Sequence, residues 1–209
     1  MLLKTNKELN KKLENCVNTF RNVGSIKTGF PRLNDADKIK VFSKQYTLWL
    51  KNLTSEEYVA LFEYIDHAYL NINSVLRGRE ENYIEDNKNH AKFLHQALSK
   101  AKIHQDITVY RGVSKSTLGK YRDLDSKQLV GKVIHDPGFM STSLSSDSIP
   151  NNSISLIIKV PKGSSGAYIG NISRFNTENE VLLNKGQRLV ITTVIDDDKN
   201  NTKLICEIV

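Results

Sequence analysis

Phe175-Asn176-Thr177-Glu178-Asn179-Glu180-Val181-Leu182-Leu183 sets two carboxylates two residues apart at the mouth of an apolar run. Val181 to Leu183 read as the start of a buried strand, and in an extended backbone side chains at i and i+2 share a face. Glu178 and Glu180 are therefore expected to look into one site, with Asn179 turned away. Neighbouring carboxylates in different surroundings can take separate acid–base or charge-stabilising roles. Exposed strands also carry Glu-x-Glu pairs routinely, so the surrounding chain has to decide.

Two further segments bear on it. Thr108-Val109-Tyr110-Arg111-Gly112-Val113 is a short β-prone run holding an arginine followed by glycine. Glycine admits close backbone approach, and arginine offers a planar fork of donors suited to phosphate or ribose oxygens. Gly138-Phe139-Met140-Ser141-Thr142-Ser143-Leu144-Ser145 is again strand-like, with Ser141 and Ser143 on one face and Thr142 on the other. A serine hydroxyl beside a catalytic glutamate can fix the carboxylate's orientation.

Working outward, the first hundred residues read as helical and the rest as strands. Leu9, Leu13, Val17 and Phe20 recur at helical spacing among lysines, until Gly24 and Pro31 break the pattern. A helix is expected from Asp35 to Tyr46 or beyond. Thr54-Ser55-Glu56-Glu57 has capping-box order, followed by Tyr58, Leu61, Phe62 and Ile65 as an apolar stripe. Further helices are predicted over Ala68–Leu76 and Asn89–Lys102, the latter turning Ala91, Leu94, Ala97, Leu98 and Ala101 inward. Strands are predicted over Ile107–Tyr110, Val133–His135, Gly138–Leu144, Ser153–Val160, Ala167–Ile169, Glu180–Leu183, Arg188–Ile195 and Lys203–Val209. Residues 196–201 are expected to form a polar turn between the last two. Helices first and strands later, with no repeat or low-complexity linker between, predict an α+β fold in a single domain over 1–209, mainly helical over 1–104 and mainly β over 105–209.

Arg111, Ser141-Thr142-Ser143 and Glu178-x-Glu180, in that order, resemble the mono-ADP-ribosyltransferases of the Arg–Ser–Glu class. The flanks extend the likeness. Ile72-Asn73-Ser74-Val75-Leu76-Arg77-Gly78, Val160-Pro161-Lys162-Gly163-Ser164-Ser165-Gly166-Ala167-Tyr168 and Glu180 through Gly186 resemble segments of the clostridial and bacillary binary toxins that modify actin. The resemblance covers about residues 45 to 209. It implies helices packed on a core of two twisted sheets, with NAD as substrate in the cleft between them and no metal. It further implies that Glu180 stabilises the developing sugar cation, that Ser141 orients Glu180, and that Thr142 and Ser143 hold the strand. Arg111, Gly112, Arg77 and, more weakly, Asn73 would face the cofactor, with Ser141 and Glu180 completing that site. Phe175 would contact the protein substrate, or else anchor the core.

The compact Rho-modifying exoenzymes carry glutamine at the position of Glu178 and modify asparagine, so glutamate here implies an arginine acceptor. Actin is the leading target and a Rho-family GTPase the second. One departure is visible: Ser145 to Asn152 contains no arginine or lysine, where the actin-modifying toxins carry a basic residue facing the cofactor phosphates. The chain lacks room for the adaptor-binding half of a binary toxin, so a stand-alone enzyme and an excised catalytic domain both remain open. An NAD glycohydrolase, with water as acceptor, would carry the same motifs; a non-catalytic binding module of this fold would show no turnover.

Composition is consistent with this. The 209 residues suffice for one well-buried core, with 39% hydrophobic and 25% charged residues. No apolar run approaches the roughly 20 residues of a membrane span, and the first residues lack the apolar stretch of a secretory signal. Secretion or delivery into a host cell by another route is expected from the resemblance. The net charge of +7 is spread, with one local excess over Lys4–Lys12, and no nucleic-acid motif accompanies it. Cys16 and Cys206 read as idle thiols rather than a disulfide. His67, His90, His95, His104 and His135 are scattered without metal-ligand spacing. A monomer partnered by NAD and a host protein is the expectation.

Overall fold

The computed structural model describes residues 35–79, 84–148, 154–170, 172, 179–197 and 201–209. The expected helix over Leu9–Phe20, Lys4–Lys12, Gly24, Pro31, Cys16, Phe175 and Glu178 lie outside them. The chain divides after Asn52 into two compact units. In the first, helix α1 (Asp35–Lys51) buries Phe42, Tyr46 and Trp49 at helical spacing, with the Tyr46 and Trp49 rings edge-on at 6.1 Å.

The second unit opens on the expected capping box. Thr54 Oγ1 accepts from Glu57 N at 3.3 Å, and Glu57 Oε2 accepts from Thr54 N at 2.9 Å, starting helix α2 (Ser55–Glu63). The backbone then widens into a π-helical turn, Tyr64–Ala68, before α3 (Tyr69–Leu76). An α-helix drifts off a four-residue repeat, and a wider turn resets it. Ala60, Tyr64, Ala68 and Ile72 are consequently all buried, whereas Tyr58, Phe62 and Ile65 of the expected stripe are only half-buried. Buried Glu57 is matched by Lys100 Nζ, 2.6 Å from Oε1, at the end of α4 (Ile84–Lys100). That helix begins earlier than expected and turns Ala91, Leu94, Ala97 and Leu98 inward as predicted, with Ala101 buried just beyond it.

All the expected strands form: β1 (Ile107–Val113), β2 (Val133–Asp136), β3 (Met140–Ser143), β4 (Ile154–Val160), β5 (Gly166–Tyr168), β6 (Glu180–Leu183), β7 (Gln187–Asp197) and β8 (Asn201–Ile208). Hydrogen bonds order them β2-β7-β8-β4-β1-β3-β6-β5. Among the described residues, only β4 and β8 pair in parallel. The two sheets implied by the resemblance are joined here at one point. β1 pairs with β4 along its whole length but meets β3 at the single registered pair Tyr110↔Ser143.

Strand alternation decides what faces inward. Val109, Ile134, Leu156, Ile158, Leu189, Ile191, Leu204 and Cys206 build one buried face. Arg111, registered with Leu156, and Asp136, two residues beyond Ile134, lie on that same face. Two ionisable groups thus sit where the β pattern otherwise places core. Asn184, buried after β6, clamps that strand to α4: its Oδ1 is 2.9 Å from His95 Nδ1 and its Nδ2 donates to Ser99 Oγ at 3.1 Å.

Candidate active site

β3 and β6 run antiparallel with Ser141 opposite Leu182 and Ser143 opposite Glu180. Ser141 and Glu180 are therefore diagonal neighbours on one face. Ser141 Oγ donates to Glu180 Oε1 at 2.5 Å. Thr142 points the other way and donates through Oγ1 to Val181 O at 2.7 Å, tying the two strands together. Buried Ser143 accepts from Ser145 N at 3.0 Å, shaping the exit from β3. From β1, Arg111 Nη1 donates to the carbonyl of Ser141 at 2.9 Å. Burial works against its charge, while Asp136, Tyr64 and Glu180 favour it and Arg77 opposes it. Gly112 follows in β1, registered with Ser155.

Behind β3 lies a second cluster. Arg77, capping α3, donates from Nε and Nη2 to the two oxygens of Asp136, each at 2.9 Å. Asp136 Oδ1 also accepts from Gly138 N at 3.0 Å, and its Oδ2 lies 3.9 Å from Arg111 Nη2. Burial alone would raise the Asp136 pKa, but the Arg77 hydrogen bonds and charge, Gly138 N–H and Arg111 together hold it below its ordinary value. One helical turn before Arg77, buried Asn73 accepts from Phe139 N at 2.8 Å and donates to Tyr64 OH at 2.9 Å. The Tyr64 ring packs edge-on against Phe139 at 5.5 Å. Burial raises the Tyr64 phenol well above its ordinary pKa, with Glu180 adding to the effect. Asn73, expected toward the cofactor, thus engages both ends of its amide within the fold. Gly138 leaves room for these side chains: a Cβ would stand 2.7 Å from Asn73 Oδ1 and 3.1 Å from Arg77 Nη2, so one of them would have to shift.

Extended backbone is expected through Asn179, and the residue departs from it. Asn179 has φ of 47°, in the left-handed region that asparagine tolerates, and β6 begins only at Glu180. Alternation stops at that residue. Its side chain accepts from Tyr168 OH at 3.4 Å. Asp136 and Tyr64 were not singled out from the sequence. Asp136-Pro137-Gly138 reads as a turn, and the short-range bond from Asp136 to Gly138 N–H satisfies that reading completely. Among the described residues, no group of three or more His, Cys, Asp or Glu is arranged to hold a metal ion.

An α+β fold that sets arginine, serine and glutamate on β1, β3 and β6 points to one class of group-transfer protein. The chain belongs to the ADP-ribosyltransferase exoenzyme family, which residues 40–209 match. It is 31% identical over 160 residues to NAD(+)--arginine ADP-ribosyltransferase EFV of Enterococcus faecalis, covering 70% of this chain and 30% of that protein. To the Photox toxin of Photorhabdus laumondii it is 27% identical over 188 residues, covering 78% of this chain and 45% of the toxin. The chain thus spans less than half the length of either protein. Plx2a, an ADP-ribosyltransferase toxin from Paenibacillus larvae, superimposes with a TM-score of 0.70 at 25% identity, over 84% of this chain and 96% of Plx2a.

Proposed function

We propose that this chain takes NAD as its substrate and transfers ADP-ribose to an arginine of a host protein, with actin the leading target. The reading is carried by the 2.5 Å bond from Ser141 to Glu180, braced by Arg111 on the Ser141 carbonyl. Breaking the bond between the ribose and nicotinamide develops positive charge on the sugar, and nicotinamide leaves as a neutral base. A carboxylate held in one orientation and half-buried at the start of β6 stabilises that charge without reorganising. Ser141 supplies the orientation and Glu180 the charge. Arg111 and Arg77 offer guanidinium forks to the diphosphate, and Gly112 admits close approach in β1. The acceptor nitrogen then bonds to the ribose carbon and gives up a proton, for which Glu178 is the assigned base and guanidinium partner. Phe175 is assigned to the protein acceptor. The arginine choice is supported by glutamate at position 178 and by the printed activity of the Enterococcus relative.

In this reading residues 1–209 work as one catalytic domain that meets its target in a host cell after secretion or delivery. No helix among the described residues is long and apolar enough to cross a membrane. The test is transfer from labelled NAD into host-cell lysate, with modified residues located by mass spectrometry. Label on an arginine with wild type and none with Glu180→Gln is expected. Nicotinamide release without protein label would instead make the chain a glycohydrolase, and label on another residue type would overturn the arginine assignment.

A further inference from the structure

We propose that Asp136 is a positioning residue for the dinucleotide, an inner strut that holds Arg77 and Arg111 side by side as one paired cation site for the NAD diphosphate. The proposal rests on the NAD reading above and extends it to a residue outside the Arg–Ser–Glu motifs.

Arg77 comes from the end of α3 and Arg111 from the middle of β1, so nothing local in the chain brings them together. Two neighbouring guanidinium groups repel, and each makes the other's charge harder to keep. Asp136 answers that repulsion. It takes both oxygens to the Nε–Nη2 edge of Arg77 at 2.9 Å and leaves Oδ2 at 3.9 Å from Arg111 Nη2. Its third contact, from Gly138 N at 3.0 Å, fixes the carboxylate to the turn that feeds β3 and Ser141.

Burial separates a strut from a competitor. A carboxylate that blocked the arginines from an incoming anion would lie outside them. Here the Asp136 side chain is 9% exposed, against 28% for Arg77 and 21% for Arg111, so the anion sits beneath and the cations reach outward. The donor count agrees. A guanidinium has five N–H donors. Asp136 takes two from Arg77, and Arg111 gives one to the Ser141 carbonyl. Both arginines keep donors for a phosphate. With no lysine or arginine between Ser145 and Asn152, this pair is the nearest basic provision for a diphosphate that the motifs offer.

The experiment is a double-mutant cycle in nicotinamide release, with wild type, Asp136→Asn, Arg77→Gln and the double variant. Asparagine keeps the shape and the acceptor for Gly138 N–H but loses the charge. D136N is expected to raise KM for NAD by about ten- to a hundredfold, the scale of a lost charge-assisted hydrogen bond, with kcat within about twofold of wild type. In the Arg77→Gln background the same change is expected to raise KM clearly less than in wild type, because only Arg111 is left for Asp136 to hold. A D136N protein with unchanged or lowered KM, with loss confined to kcat, or with an equal KM rise in both backgrounds would overturn the proposal alone. Wild type that releases no nicotinamide would overturn the NAD reading and this proposal together. If D136N melts below assay temperature by circular dichroism, Asp136→Ser, which still accepts from Gly138, takes its place with the same expectations.

Discussion

Ser141 and Glu180 share one hydrogen bond but carry unequal parts of the proposed chemistry. Ser141→Ala leaves the carboxylate in place without its 2.5 Å anchor. We expect kcat for nicotinamide release to fall by about ten- to a hundredfold, less than for loss of the carboxylate charge, with KM little changed. Equal loss in Ser141→Ala and Glu180→Gln would contradict the orienting role. Asp136 gives a pH test. Its folded pKa lies below the ordinary 3.8, so its contribution to stability is full above that value and is lost as pH falls through the folded pKa. The melting-temperature gap between wild type and D136N should therefore narrow as pH drops below about 3.8; a constant gap would count against an anionic Asp136 in the fold. Arg111, Ser141 and Glu180 were legible because each sits in a short strand motif whose neighbours announce it. Asp136 was not, because its partner Arg77 lies 59 residues away; Asn73 was named toward the cofactor, but its bond to Phe139, 66 residues on, carries no local signal. Asn179 shows the limit of alternation: its left-handed backbone is not signalled by a period of two.

At the level of elements, two side chains of the α3 end, Asn73 and Arg77, close over the turn before β3. Gly138→Ala puts a methyl 2.7 Å from Asn73 Oδ1. Asn73 has to yield its bond to Phe139 N, and we expect a stability loss of about 1–3 kcal/mol by chemical denaturation, with NAD KM raised as Arg77 shifts. An unchanged midpoint would show that the contact relaxes freely. Capping and periodicity located α2 and α4 well, since Thr54 and Glu57 signal one start and the alanine–leucine spacing marks the inner face of the other. The π turn at Tyr64–Ala68 was not legible. It is fixed by the fit of Tyr64 against Asn73 and Phe139, and the 3.6-residue pattern by itself shifts the stripe to Tyr58, Phe62 and Ile65.

For the whole molecule, helices followed by strands gave the α+β class, but pairing order depends on contacts that no local pattern encodes. The parallel match of β4 with β8 and the single Tyr110↔Ser143 joint are of that kind. Cys206 reports on the integrity of this assembly: it is fully buried in β8, registered with Ile158 and Ile191, and burial pushes its thiol up to about 12. In a Cys16→Ser background, iodoacetamide at neutral pH should label it only as fast as the β sheet unfolds; rapid labelling of native protein would show a looser sheet. The central claim is that a serine-anchored Glu180 drives cleavage of NAD. It is tested most directly by nicotinamide release from NAD with purified wild type and Glu180→Gln at matched circular dichroism. We expect turnover by wild type and a loss of at least about a hundredfold in the variant; equal rates in the two proteins, or none in wild type, would contradict it.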